Sequence, residues 1–289
     1  MKHSAADHTQ ECPAPSILAA AYGLTLRELI RFLRQRTRIV GSVGQPVIFW
    51  VLFGAGLHSS FQPPSWAENL PEKISYQEYF FPGTAVLIVM FTAIFSTISI
   101  IEDRREGFLQ GVLVAPVPRQ SIVLGKVAGG TLLALWQAGL FLMIGPLLSP
   151  IGLSPPLELQ WSVDGVIGAA GFLSLIAIEL TVVGCLMAWP MNSTQGFHAV
   201  MSVFLMPLWL LSGSFFPGGE SGWLSWVIRC NPLTYGVAGL RRLMYVEVLP
   251  VTPELPSMPL CVIVTATTTL ICYLACVRLV SRPQLNNVA

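Results

Sequence analysis

The feature that most constrains this chain is a series of apolar runs, each about 20 residues long, joined by short polar connections. They cover residues 40–58, 79–101, 122–148, 164–189, 197–211 and 260–280. Segments of that length match the hydrocarbon core of a bilayer when wound as α-helix, and a helix satisfies its own backbone polar groups, as hydrocarbon requires. Only 11% of the 289 residues are charged and 53% are hydrophobic, whereas a soluble domain carries about a quarter charged residues. The expected fold is all-α: a polytopic membrane protein with six transmembrane helices. Residues 1–15 read as a polar tail without the basic and apolar regions of a secretory leader. Residues 16–282 read as a single transmembrane domain and 283–289 as a C-terminal tail.

The densest charge in the body of the chain is Glu102-Asp103-Arg104-Arg105-Glu106, followed by Gly107 and, further on, Ala115-Pro116-Val117-Pro118-Arg119. It lies between the second and third apolar runs. Charge this dense does not remain in hydrocarbon, so the flanking runs must deliver the segment to one membrane surface. With both termini placed in the cytoplasm, twelve of the 16 Lys and Arg residues fall on the inner side, as the positive-inside rule requires. The charged segment is then cytoplasmic and the stretch after the fifth run external. A solvated turn that merely obeys topology is one account of the segment. Its mixed signs suit specific docking better than lipid attraction. The apolar stretch Phe108, Leu109, Val112, Leu113 and Val114 reads as a short helix able to lie in a partner's groove.

Residues 16–38 read as an amphipathic helix. Arg27, Arg31, Arg34 and Arg38 fall on one face, and Leu26, Leu29 and Leu33 on another, which suits a helix lying in the headgroup layer. A solvated flank is the plainer alternative. Gly125 and Gly129 form a small-xxx-small pair that permits close helix approach. Residues 218–259 hold short amphipathic helices broken by Gly and Pro, not one loop.

Catalytic signatures are absent from the sequence. Gly125-Lys126 lacks the earlier glycine and the hydroxyl residue of a phosphate loop. The four His residues have no metal spacing, and the six Cys residues read as small apolar side chains. Glu179, near the middle of the fourth run, costs about 2.5–3.5 kcal/mol to insert. It is either a polar element of a substrate or ion path or a carboxyl hydrogen-bonded between helices. Phe49, Trp50, Phe91, Phe204 and Trp209 are either substrate contacts or ordinary packing and lipid-facing residues.

The order of a basic surface helix, span, loop and span, then Glu102-x-x-x-Glu106-Gly107, Ala115-Pro116-Val117-Pro118-Arg119 and Gly125-Lys126, then Ser212-Gly213-x-Phe215-Phe216-Pro217 and Asn231-Pro232-Leu233-Thr234-Tyr235, resembles the permease subunits of ABC-2 type exporters. The nearest branch is the multidrug and antibiotic exporters that include daunorubicin permeases. The resemblance covers about residues 19–282. Phe108 and Ala115 stand where many such permeases have Thr.

The resemblance implies that Glu102, Arg104, Arg105, Glu106, Gly107, Pro116 and Arg119 form a coupling helix that docks on a separate nucleotide-binding ATPase. Arg27, Arg31, Arg34 and Arg38 would lie on the interfacial connecting helix. Gly213, Phe216, Pro217, Asn231, Pro232 and Tyr235 would shape re-entrant external helices between spans five and six. Two copies of the chain and two ATPase subunits would assemble in a bacterial inner membrane, the copies pairing through spans one and five. MgATP would be bound only by the partner, with no cofactor in this chain and no nucleic acid partner. A hydrophobic or amphipathic drug, antibiotic or lipid-like substrate would be expelled along spans one, two and five. Rival readings are a polysaccharide or glycolipid exporter of the same architecture and an integral-membrane lipid-modifying enzyme.

Overall fold

The computed structural model describes residues 16–34, 36–57, 59–64, 67, 74–157, 159, 162–215, 222–245 and 255–281, without the side chains of 36–39 and 42. The expected tails 1–15 and 283–289, and the Arg38, Phe216 and Pro217 side chains, lie outside the described residues. Within them the chain is helical, with a single isolated antiparallel bridge between Leu159 and Tyr245.

Five helices are long and apolar enough to span a bilayer: Tyr76–Arg105, Arg119–Leu147, Val163–Ala188, Thr194–Ser214 and Met258–Ser281. The segment expected as the first span forms α2, Arg36–Gly56, whose apolar part is Val43–Gly56. At 1.5 Å per residue that part is about 21 Å long. It is preceded by α1, Ile17–Leu33, which starts where the Ser16 side chain accepts from the Ala19 N–H.

The central helix is α3, Tyr76–Ser96. A capping box starts it: the Glu78 N–H donates to Ser75 Oγ, and Glu78 Oε2 accepts from the Ser75 N–H and hydroxyl. Phe81, Val86, Ile88, Met90 and Ile94 on it are fully buried. The Ser96 and Thr97 hydroxyls bond back to the Ala93 and Ile94 carbonyls, a local substitute for the ladder that bends a helix. Beyond that irregularity the helix resumes as α4, Ile98–Arg105. The acids and arginines expected in a loop are therefore on the last helical turns of a span.

The connection continues through α5, Phe108–Val114, into α6, Arg119–Leu147. α7, Val163–Ala188, and α8, Thr194–Trp209, follow, and α8 runs into one π-helical turn, Leu210–Ser214. Two short helices come next, α9, Gly222–Cys230, and α10, Pro232–Met244, then the last span α11, Met258–Ser281. Ile263, Leu270, Ile271 and Leu274 give α11 an exposed apolar face, as a helix facing lipid requires.

The end of the bundle opposite the charged segment is closed by aromatic rings. Trp50, Phe81 and Phe141 form one group, and Tyr76, Phe80, Trp209 and Phe215 another. Trp50 Nε1–H donates to the Gln77 carbonyl at 2.9 Å and Trp209 Nε1–H to the Gly83 carbonyl at 2.8 Å. Both indoles are thus buried, while Phe204 is exposed.

α1 lies across α6 at the glycine pair. A Cβ at Gly125 would meet Leu24 Cβ at 2.6 Å, and one at Gly129 would meet Glu28 Cβ at 2.9 Å. Thr25 Oγ1–H reaches the Ala21 carbonyl at 2.8 Å and the Gly125 carbonyl at 3.2 Å. The small-xxx-small pair thus seats α1, not another span. Gly129→Leu is expected to lift α1 from α6 and to cost about 1–3 kcal/mol through overpacking. Faster proteolysis between α1 and α2, with a lower melting temperature in detergent, would report it.

Candidate functional site

The site is built where α4 ends. Gly107 has φ 80°, a left-handed conformation that side chains other than glycine's resist. It turns the chain from α4 into α5. Ala115, at ψ 150°, precedes Pro116 in the extended conformation that proline imposes on its predecessor. α5 thus lies between two enforced breaks, with Leu109 buried against the bundle and Gln110, Gly111 and Val114 exposed.

Asp103 is fully buried. Arg27 grips it with two bonds, Nη2 to Oδ1 at 2.6 Å and Nη1 to Oδ2 at 2.9 Å. Arg31 adds a bond to Oδ1 at 2.9 Å, and Lys126 Nζ one to Oδ2 at 2.5 Å. Arg31 also reaches Glu102 at 2.8 Å and Glu106 at 3.3 Å. Lys126, itself buried, donates to Glu28 at 2.6 Å and Ser99 Oγ at 2.9 Å as well. Its three acceptors match the three protons of an ammonium group. The Arg27 guanidinium lies 3.7 Å above the Phe108 ring centroid, a cation–π contact. The Asp103 carboxylate holds the Arg27 guanidinium above its ordinary pKa, against the opposing effect of burial.

The remaining charges of the segment also bond inward. Arg104 donates to the Trp189 carbonyl at 2.5 Å, the Met191 carbonyl at 3.0 Å and Asn192 Oδ1 at 3.0 Å, tying α4 to the α7–α8 turn. Arg119 donates to the carbonyls of Val280 and Ser281 at 3.2 and 3.0 Å, at the end of α11. Cations there complement the negative end of the helix. The charge expected in water is therefore largely neutralised inside the protein. Exposed positions of the segment include Arg105, Glu106, Gly107, Gln110, Gly111, Val114, Pro116 and Arg119.

Beside this surface runs an open groove of about 640 Å³ lined by Gly23, Leu26, Arg27, Ile30, Arg31, Arg34 and Glu106. The structure thus brings Arg27, Arg31 and Arg34 together with Glu102 and Glu106. Glu28, Ser99, Asp103 and Lys126 complete the site; the sequence reading named Asp103 only as one of the segment's mixed charges and Lys126 only beside Gly125, and passed over Glu28 and Ser99. Two signals marked them: a lysine inside an apolar run needs a counter-charge, and Ser99 and Asp103 are four residues apart on one helical face.

The other candidates are elsewhere. At the opposite end Gly213 adopts φ 72°, and its carbonyl accepts from Tyr79 at 2.6 Å and Arg241 at 3.2 Å. Asn231 caps α10 by accepting from the Leu233 N–H, and its Nδ2 donates to the Leu208 carbonyl at 2.6 Å. Pro232 opens that helix, and Tyr235 donates to the Arg229 carbonyl at 3.0 Å. Glu179 is buried in α7, and its Oε2 has no hydrogen-bond partner among the described residues. A separate apolar cavity of about 220 Å³ lies between α2, α3 and α8, lined by Phe49, Phe53, Phe80, Phe91 and Trp209 among others.

A family model described as ABC-2 type transporter matches residues 20–245. The chain is 29% identical over 222 residues to the putative transport permease ycf38 of Cyanophora paradoxa, covering 76% of this chain and 72% of that protein. It is 25% identical over 227 residues to the protein of the same description in Porphyra purpurea, covering 78% and 74%. It is 20% identical over 220 residues to the daunorubicin resistance ABC transporter permease protein DrrB1 of Streptomyces coeruleorubidus, covering 76% and 72%.

Asp103→Asn removes the shared anion and leaves Arg27, Arg31 and Lys126 crowded together. Such uncompensated burial costs about 3–5 kcal/mol. A markedly lower melting temperature of the detergent-solubilised protein is expected, and an unchanged one would contradict the network's role.

Proposed function

The chain belongs to the ABC-2 type transporter family, and from that premise we propose that it is the membrane permease of an ATP-driven exporter for hydrophobic or amphipathic molecules. It is a transport component, and the hydrolysis of ATP falls to a separate subunit. The observation that carries this reading is the family match together with the surface on which α5 and α1 stand side by side. There Glu106, Gln110, Val114 and the groove residues Leu26, Ile30 and Arg34 offer mixed charge and apolar contact to one partner.

In this reading the ATPase docks on α5 and α1. Two copies of the chain pair in a bacterial inner membrane with their termini and charged ends in the cytoplasm. Closure of two ATPase subunits displaces the docking surface, and the packed helices pass that displacement on. Substrate enters between α2, α3 and α8. The apolar, aromatic lining of the cavity there favours a hydrophobic cargo over a polysaccharide. The drug-resistance relative adds support from the same side.

Co-expression with the candidate ATPase, one bearing a phosphate loop, followed by purification through this chain tests the reading. The wild type is expected to retain the ATPase. Glu106→Lys reverses an exposed charge and is expected to weaken capture about tenfold, equivalent to about 1.4 kcal/mol. Gly107→Pro forces φ to about −65° where the turn has 80°, and is expected to abolish capture. Undiminished capture and transport in both variants would refute the docking site.

A further inference from the structure

α1 is held to the bundle by an unusual face. Its buried residues are Ala21, Thr25, Glu28 and Phe32, of which one is small, one polar and one acidic. Its apolar side chains Leu18, Tyr22, Leu26 and Leu33 point outward and are exposed. Phe32 and Leu24 supply the apolar contact of α1 with the bundle, and polar links supply the rest. Beside the bond from the Thr25 hydroxyl to the Gly125 carbonyl, two sets of ionic links stand out. One runs from Arg27 and Arg31 to Asp103 and joins α1 to α4. The other runs from Glu28 to Lys126 and joins α1 to α6.

The two links differ in what survives the loss of one charge. Without the Lys126 ammonium, Asp103 keeps both arginines. Glu28 keeps only Arg27, on its own helix and at 3.4 Å. Removing Lys126 thus leaves α1 and α4–α5 joined to each other while the ionic tie between that pair and α6 is gone. The buried Glu28 carboxylate, left with the long Arg27 contact alone, then weakens the seat of α1 at the glycine crossing.

We propose that Lys126 is the positioning residue through which movement of the α1–α5 surface reaches α6. It touches neither substrate nor nucleotide, and it acts by making the docking surface and the third span one mechanical unit. The inference rests on the reading of that surface as the ATPase dock.

Hydrogen–deuterium exchange resolved by segment tests it, in the complex with the ATPase, with and without MgATP and vanadate. In the wild type, trapping nucleotide is expected to change exchange in α1, in α5 and in the first half of α6. In Lys126→Met the change is expected to persist in α1 and α5 and to disappear from α6, while Lys126→Arg retains it. Absence of an α6 response in the wild type, or its persistence in Lys126→Met, overturns the proposal. Should Lys126→Met fail to accumulate, Lys126→Gln decides, since it keeps a hydrogen-bond donor near Ser99 and Asp103 without the charge. It is expected to lose the α6 response while keeping that of α1 and α5, and persistence of the α6 response counts against the proposal.

A wild-type chain that captures no ATPase sinks the docking reading instead. The tie itself is then read on the chain alone, where Lys126→Met is expected to speed exchange of α1 amides about tenfold, and unchanged exchange overturns the tie.

Discussion

Asp103 sits at the edge of a membrane-spanning helix with no exposure to solvent and with two arginines and a lysine on its oxygens. A carboxylate loses several kcal/mol of hydration on burial, and only close, well-directed counter-charges restore it. The arrangement here meets that condition: one bidentate guanidinium, a second guanidinium and an ammonium, all within 2.9 Å. Two of the cations come from α1 and the third from α6. The burial of one acid therefore fixes α1, α4 and α6 relative to one another.

The rest of the charged end follows the same logic. Arg104 seizes the turn between α7 and α8, and Arg119 the end of α11. Helices that share few long-range polar contacts within the bilayer are thus tied at one membrane face by side chains from a single connection. The other face is held differently, by stacked rings and by indole and phenol donors on backbone carbonyls. An apolar cavity lies between α2, α3 and α8, against the aromatic end of the bundle.

Much of the fold was legible because apolar length and glycine–proline punctuation are local signals. The helical character of the runs, the short helix 108–114 and the short helices after the fifth run all come from such signals. The site was legible only in outline. Glu102, Arg104, Glu106 and Arg27 stood out as charges, but their direction did not, since a charge that faces a partner inside the protein reads the same as one facing water. Lys126 and Glu28 were the harder cases. Each looked like an exception within its own segment, a lysine at the foot of an apolar run and an acid in a basic stripe, and only the crossing at Gly125 and Gly129 makes them a pair. Glu179 stays outside both accounts, buried and with one oxygen unpartnered among the described residues.

The central claim is that the charged connection and α1 form one body. A pulsed dipolar distance measurement between spin labels at Tyr22 on α1 and Gln110 on α5, both exposed, reads it directly in the assembled transporter with and without nucleotide. The account predicts one narrow distance distribution that stays in place as ATP binds. A distribution that broadens or shifts between the two states would show the elements moving independently and would contradict it.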